Sequence, residues 1–326
     1  MQEMLLGLWR DMPPAPVFAH FGLLLLMMAA AGLPLMAIVG ENLALSRQRA
    51  SWNKCARQLA ACGLCVGLVP LAALGGLLLH AVFTRQPDLL AQWPDITPAT
   101  FTLMEQGGII VWLSLFMGMF FLALYAVLWQ SLRGSPVLHQ ILGLLAMLLN
   151  TEALYGRLCL LGAHDSVLPP PRSLTELFLP VPEAEVWNLV PYALPLCLAF
   201  AGAFGTLWLV ARRNRDDYGR DHYRQMVPWC GAWARNGWLL SWLLVVGFVG
   251  VNLWYVRFET GYLPLRDLLG AAGQMAIWCI PFLLWLIVCR SEAPLRHKLT
   301  MLLGFVLMGV CAALLFAAFL PEALLL

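Results

Sequence analysis

Hydrophobic residues run in eight long segments along the chain, and most polar residues gather in the links between them. A helix that crosses a bilayer needs about 20 apolar residues, and each segment has about that length. Proline and glycine interrupt several segments, which membrane helices tolerate. We therefore predict spanning helices near residues 16–39, 58–83, 106–130, 138–161, 187–211, 236–256, 268–289 and 298–320.

The fourth segment carries polar residues that a helix facing only lipid would not keep. His139, Asn150 and Arg157 return almost to the same face at 100° per residue. They therefore form one polar stripe about 27 Å long on a single helix. Glu152 points to nearly the opposite side, and we expect Glu152 and Arg157 to find separate partners on other helices. Charges inside a membrane segment are costly and usually mark a pathway or a cofactor.

Composition agrees with the segment pattern. Hydrophobic residues make up 61% of the 326 residues, charged residues make up 12%, and the mean hydropathy is +0.77. An ordinary soluble domain has about twice this charged fraction. We predict an all-α polytopic membrane protein, surrounded by lipid, with a single transmembrane helical domain over residues 1–326. The net charge of +2 and the lack of a basic aromatic patch predict no nucleic-acid partner.

Lysine and arginine are divided unevenly between the two sides of the predicted membrane. One side has Arg10, Arg85, Arg172, Arg257 and Arg266, while Arg157 lies inside a helix. The positive-inside rule then places both termini outside, in the periplasm if the protein is that of a bacterium. The predicted location is the bacterial inner membrane, crossed several times. The other side, in or beside the first, third, fifth and seventh links, has Arg47, Arg49, Lys54, Arg57, Arg133, Arg212, Arg213, Arg215, Arg220, Arg224, Arg235, Arg290, Arg296 and Lys298.

The two longest links, residues 84–105 and 162–186, are predicted on the outer side. Both are rich in proline and acidic residues. Such a link suits a cap that shields a site or touches another subunit, and a solvated loop is the alternative.

Histidine and acidic residues supply the candidate chemistry. His20, near the outer end of the first helix, is a candidate ligand of haem b, because histidine is the common ligand of an iron porphyrin in a helical protein. With His80 it could instead flank a quinone, and a satisfied interfacial histidine is the alternative. Glu105 lies at the depth of His20, where a carboxylate can exchange protons with a quinol. The candidate catalytic residues are Glu105, Glu152 and Arg157, and the candidate cofactor contacts are His20, His80, His139 and Asn150.

The remaining histidines and the cysteines suggest no further site. His164 and His222 are predicted in loops, and His297 in a basic cluster on the inner surface. Cys62-Gly-Leu-Cys65 is a CxxC motif within a hydrophobic helix, without a second motif to complete a metal site. We interpret this pair as structural.

The order of motifs resembles subunit I of the cytochrome bd quinol oxidases over residues 15–256, with two further helices over 268–320. The resemblance implies a haem ligand at His20, a proton path at Glu105 and a membrane complex that oxidises quinol. The motifs that carry it are Phe18-Ala-His20-Phe21, Trp52-Asn-Lys54, Glu105-Gln-Gly107, His139, Asn150-Thr-Glu-Ala-Leu-Tyr155, and the run from Gly202-Ala203 to Arg213.

Departures from that family's pattern narrow what the resemblance implies. The family has a haem-binding histidine in the fifth helix, where this chain reads Trp187-Asn-Leu-Val-Pro-Tyr-Ala193. The family's Gly-Arg-Gln-Pro-Trp motif and its long loop between helices six and seven do not occur, and its second acidic residue on helix three is replaced around Leu113. The resemblance therefore implies a scaffold with one haem b or one quinone site rather than a complete oxygen reductase.

These observations lead to three functional hypotheses. The first is a quinol-linked oxidoreductase subunit of a respiratory complex, which exchanges electrons between menaquinone or ubiquinone and a partner such as a periplasmic cytochrome or iron–sulfur subunit. In it, the stripe of the fourth helix is a proton track or a packing surface. The second is a haem-free quinol-interacting subunit similar to the membrane anchor of polysulfide reductase. The third is a non-redox transporter or structural anchor, and two inverted repeats of four helices would favour transport.

Overall fold

The protein is described by a computed structural model over residues 14–84, 98–132, 134–163, 171–184, 186–262 and 264–319. Within these ranges the chain forms helices and no strand. Eight of these helices have the length and the apolar composition to cross a bilayer, so the chain is an all-α polytopic membrane protein. They are α1 (Pro14–Arg47), α2 (Ala50–Thr84), α3 (Pro98–Val127), α4 (Pro136–Gly162), α5 (Val186–Asp216), α6 (Arg220–Thr260), α7 (Leu265–Arg290) and α8 (Lys298–Phe319).

The helices lie where the sequence predicts them, but several extend well beyond the predicted bounds. The prediction that residues 212–235 form a loop is wrong, because α5 ends at Asp216 and α6 begins at Arg220. The turn between them contains Gly219 at φ 87°. Charged side chains end a hydrophobic segment without ending a helix, since the helix satisfies its own backbone groups outside the hydrocarbon as well. His222, predicted in a loop, therefore lies in the first turn of α6.

The eight helices form two groups of four, α1–α4 and α5–α8. In each group consecutive helices pack side by side and the fourth packs back against the first. The antiparallel direction of α2 and α3 follows from the positions of Gly63, Gly67 and Gly75, which face Leu122, Met119 and Trp112 respectively. Because each group has an even number of helices, both groups begin at the same end of the molecule. The groups therefore repeat in parallel, and no inverted pair of four-helix groups is formed.

The links after α1, α3, α5 and α7 lie together at one end of the molecule, which we call the basic end. The described residues there include Arg47, Arg49, Arg213, Arg215 and Arg296. The start of α1 and the end of α8 lie at the opposite end. Which side of the membrane this is stays the prediction of the positive-inside rule.

Glycines allow the closest contacts between helices, including the seam that joins the two groups. On α1, Gly32 lies so close to α5 that an added Cβ would overlap the carbonyl oxygen of Cys197 and lie 2.8 Å from Cβ of Ala201. On α6, a Cβ at Gly237 would lie 2.6 Å from the backbone nitrogen of Ala199. Helices in lipid associate through such close packing, because burial of apolar surface adds little there.

A short segment docks on the first group at the end opposite the basic end. Residues 171–184 include the short helix Leu174–Phe178, whose N-cap Ser173 accepts a hydrogen bond from the backbone of Glu176 at 3.2 Å. Tyr155 on α4 donates to the carbonyl oxygen of Phe178 at 2.7 Å. Part of the predicted cap is therefore packed against α3 and α4. Residues 98–105 of the first predicted outer link belong to α3. Residues 85–97, 164–170 and 185 lie outside the described residues.

Candidate functional site

All three residues of the predicted polar stripe of α4 contact α1. Arg157 contacts His20, Asn150 contacts the backbone of Ala30, and His139 contacts a carboxylate further along α1. The three positions are spread along both helices, so α1 and α4 share polar contacts at both ends and in the middle. All three sequence-predicted residues of the stripe are thus brought to one helix interface.

The contact at the end opposite the basic end joins Arg157 to His20. Nη2 of Arg157 lies 3.2 Å from Nδ1 of His20, and both side chains are partly buried. A guanidinium group has donors and no acceptor, so Nδ1 accepts the hydrogen bond. A neutral imidazole that accepts through Nδ1 carries its proton on Nε2. The pair therefore presents two kinds of N–H donor, from His20 Nε2 and from the other nitrogens of Arg157.

Glu105 and His80 lie at the same end as this pair but on other helices. Glu105 is partly buried on α3 and precedes Gly107 by two residues. Gly107 faces Leu160 of α4. This spacing puts Glu105 about 8 Å nearer the end of the molecule than Arg157. His80 is exposed near the end of α2. The hydrogen bond to His20 comes from Arg157, and a site shared by His20 and His80 stays a prediction.

The middle contact leaves one buried oxygen without a partner. Asn150 is 1% exposed, and its Nδ2 donates to the carbonyl oxygen of Ala30 at 3.2 Å. Its Oδ1 has no hydrogen-bond partner in the described residues. This oxygen faces Gly118 of α3, where a larger residue would overlap it. Asn150 therefore has an unused acceptor at mid-depth in the first group.

The contact at the basic end is a buried acid–imidazole pair. Nδ1 of His139 lies 2.9 and 3.0 Å from the two carboxylate oxygens of Glu41, and the side chains are 3% and 12% exposed. The hydroxyl of Tyr125 donates to Glu41 at 3.0 Å. Nε2 of His139 lies 2.8 Å from the carbonyl oxygen of Tyr125, which only accepts, so Nε2 carries a proton.

This arrangement fixes how many protons the pair shares. One proton lies between Glu41 and Nδ1 of His139, either on the imidazole or on the carboxyl group. In both cases the pair has no net charge, which is how a protein accommodates ionisable groups away from water. The ring of Tyr125 stacks on His139 with centroids 4.1 Å apart, and the ring of Trp129 meets its edge at 4.7 Å. The imidazole is thus held on both nitrogens and by two aromatic rings.

A second, partly buried network lies at the basic end, where α2, α5 and α6 meet. Asp216 accepts hydrogen bonds from Arg212 at 3.0 Å and from Nε2 of Gln58 at 2.7 Å. Gln58 Oε1 is therefore an acceptor, and it takes a hydrogen bond from Nε2 of His222 at 3.2 Å. This chain fixes the tautomer of His222 with Nδ1 unprotonated, and that atom is buried without a hydrogen-bond partner in the described residues.

Glu152 does not take part in any of these contacts. Its side chain is exposed on the face of α4 away from α1, and the described residues offer it no hydrogen bond or ion pair. The prediction of a partner on another helix therefore fails for Glu152 in the described part of the chain. The reason is that α1 and α3, the neighbours of α4 within its group, both lie on the other side of α4.

The described parts of the polar stripe do not form a continuous relay. His139 and Asn150 are separated by about 16 Å along α4, and Asn150 and Arg157 by about 10 Å. Proton transfer needs groups within hydrogen-bond distance or joined by one water. The side chains themselves therefore act as three separate contacts between α1 and α4, which favours the packing alternative for the stripe.

Sequence reasoning missed the acid on which the basic-end site depends. The sequence predicts that the first helix ends near residue 39, which leaves Glu41 outside it, whereas α1 continues to Arg47. Uninterrupted helical spacing through Gly40 and Glu41, with no proline, is the signal that would have kept it in the helix. Nothing in the sequence pairs Glu41 with His139, because the two are 98 residues apart.

The residues that the structure describes do not fit a haem with His20 as its ligand. A ligating histidine offers iron an unprotonated nitrogen, whereas the Arg157 contact occupies Nδ1 and leaves Nε2 protonated. Both nitrogens of His139 are also occupied. In the described ranges no group of three or more His, Cys, Asp or Glu side chains could hold a metal ion. The Cys62–Cys65 pair is split, with Cys62 buried and Cys65 exposed.

No protein-family model matches the chain, and no curated protein matches it. The structure defines the class: an all-α polytopic membrane protein of two four-helix groups, with polar contacts concentrated between α1 and α4. The resemblance to subunit I of the cytochrome bd quinol oxidases stays a prediction.

Proposed function

We propose that the chain is the membrane subunit of a quinone-linked electron-transfer complex and binds the quinone head beside His20 and Arg157. The observation that carries the proposal is the 3.2 Å contact between Arg157 Nη2 and His20 Nδ1. It leaves the Nε2–H of His20 and further N–H groups of Arg157 as donors near one end of the spanning helices. Quinone carbonyl oxygens are hydrogen-bond acceptors, and Arg157 supplies a positive charge in a medium of low dielectric constant.

A bound quinone supplies reversible two-electron, two-proton chemistry. His20 would hold a proton at Nε2 and donate it as a hydrogen bond. Arg157 would keep His20 in that tautomer, because a guanidinium group only donates hydrogen bonds and could not accept one from an Nδ1–H. Glu105 is the candidate for proton exchange with water, since it is a carboxylate nearer the end of the molecule than Arg157. The electron donor or acceptor would belong to another subunit.

Among the three hypotheses, the fit of the residues favours quinone without haem. The hydrogen bond from Arg157 suits His20 as a donor to an oxygen atom and not as an iron ligand. A transporter or structural anchor makes a different prediction, because neither needs quinone at this pair. The parallel order of the two four-helix groups also lacks the inverted repeat that would favour transport.

Quinone binding tests the proposal directly. We expect the purified protein in detergent to bind a short-chain menaquinone or ubiquinone analogue, measured by equilibrium dialysis. Changing Arg157→Leu should weaken binding by roughly 10- to 100-fold, because hydrogen bonds with a charged partner contribute about 1.5–3 kcal/mol. Arg157→Lys should bind with intermediate affinity, since it keeps the charge and loses the planar fork of donors.

The matched control is Arg257→Leu. Arg257 is exposed on α6, in the last turn at the same end of the molecule, but in the other four-helix group. This substitution should leave the affinity unchanged. Absence of quinone binding by the unaltered protein, or equal losses in the Arg157 and Arg257 variants, would contradict the proposal.

A further inference from the structure

A line of exposed residues follows α4 on the side opposite α1. We call it the α4 ridge. Its apolar members are 70%, 45%, 44% and 52% exposed in chain order, and the last member is an exposed carboxylate. The spacing of three or four residues puts all members on one helix face. The α4 ridge consists of Val137, Ile141, Leu144, Leu148 and Glu152.

The carboxylate of this ridge lies near the middle of the membrane. Glu152 is three residues from the centre of α4 and about 15 Å from its end at Gly162. A hydrocarbon core is about 30 Å thick, so neither interface is within reach of the short glutamate side chain. No hydrogen bond or ion pair reaches Glu152 from the described residues. A carboxylate left in lipid at this depth is costly, and such residues normally have a partner.

Among the described residues, no cation lies where Glu152 of a second copy would meet it. In a symmetric dimer within one membrane, Glu152 would meet residues at its own depth. Arg157 is turned to α1 and bonded to His20. Arg235, on α6, lies beside Ala234, which faces Gly202 of α5. The depths of α5 and α4 can be compared through α1, since Gly32 of α1 contacts α5 and Ala30 of α1 contacts Asn150 of α4. Counting residues along each helix from these contacts puts Arg235 roughly 8 Å closer to the basic end than Glu152.

We propose that the α4 ridge is the docking surface for a transmembrane helix of a different subunit, which presents a lysine or arginine to Glu152. Charge complementarity identifies this occupant. The apolar residues from Val137 to Leu148 would pack against the partner helix, and Glu152 would fix its depth and register. A single buried polar contact is well suited to specify one alignment of two apolar helices. This inference does not depend on quinone binding at His20 and Arg157.

Photocrosslinking and charge exchange test the proposal in native membranes. A photoreactive residue is placed at Leu148, one turn from Glu152, and in a control chain at Leu302, which is 50% exposed on α8. We expect the Leu148 adduct to contain a second membrane protein with Lys or Arg in a spanning helix. The substitution Glu152→Leu should reduce co-purification of that protein roughly tenfold. Glu152→Arg should abolish it, and exchanging the partner's basic residue for Glu should restore it.

A stability measurement separates docking from a role in folding. Glu152 touches no described partner, so Glu152→Leu should leave the thermal stability of the isolated chain unchanged or slightly raised. Four results would overturn the proposal: a Leu148 adduct with a second copy of this chain, an adduct with lipid only, an adduct with a protein that lacks a basic residue in its spanning helices, or full co-purification with Glu152→Leu.

Discussion

The substitution Gly32→Ala is expected to destabilise the whole molecule by about 3 kcal/mol, because backbone of another helix occupies the space of the new methyl group. The added Cβ would overlap the carbonyl oxygen of Cys197 and lie 2.8 Å from Cβ of Ala201. Neither group can rotate away, so α1 and α5 must separate along the seam that joins the two four-helix groups. The free energy of unfolding in mixed micelles and the monodisperse fraction after size exclusion measure the effect.

The matched control is Gly22→Ala, the same change on the same helix. No atom lies within 4 Å of a Cβ added at Gly22. This variant should be as stable as the parent or slightly more stable, since alanine favours a helix by up to about 1 kcal/mol over glycine. Equal stabilities of the Gly32 and Gly22 variants would show that the seam is looser than the structure describes.

The substitution Glu41→Leu is expected to cost about 3–5 kcal/mol of stability, because it removes one member of a buried acid–imidazole pair. Nδ1 of His139 and the hydroxyl of Tyr125 would lose their partner in a site where His139 is 2% exposed. Glu41→Gln should cost less, since an amide still offers an oxygen and a donor. Replacing both Glu41 and His139 by leucine should recover part of the loss, which is how a double-mutant cycle identifies a coupled pair.

A neighbouring contact between the same helices provides the control. Nε2 of Gln140 donates to Oδ1 of Asn42 at 2.9 Å, and this bond is exposed. Asn42→Ala should cost no more than about 1 kcal/mol, because water replaces the lost hydrogen bond. If Glu41→Leu costs no more than Asn42→Ala, the basic-end pair is not a buried coupled site.

The polar stripe shows what helical spacing can predict. His139, Asn150 and Arg157 share a face because of their separation in sequence, and all three contact α1 in the structure. The spacing also directs Glu152 away from them, as observed. The partners were not predictable in the same way. Glu41, Ala30 and His20 lie 98, 120 and 137 residues from their partners on α4, and no local rule specifies such pairs.

The helix ends show the opposite case, in which local reasoning fails. Charges between residues 212 and 235 predict a loop, yet only residues 217–219 separate α5 from α6. Hydropathy reports where hydrocarbon ends, whereas a helix ends where its backbone hydrogen bonds end. The predicted first helix also ends too early, near residue 39, and so leaves out Glu41, which the structure buries beside His139.

The sequence by itself determined that this is an eight-helix membrane protein and which face of α4 is polar, because apolar length and a period of 3.6 residues are local properties. Only the tertiary structure decided that Arg157 holds His20 as a donor, that Glu41 completes the site of His139, and that Glu152 has no partner in the described chain. Those outcomes depend on which helices are neighbours and at what depth, and packing between distant segments sets both.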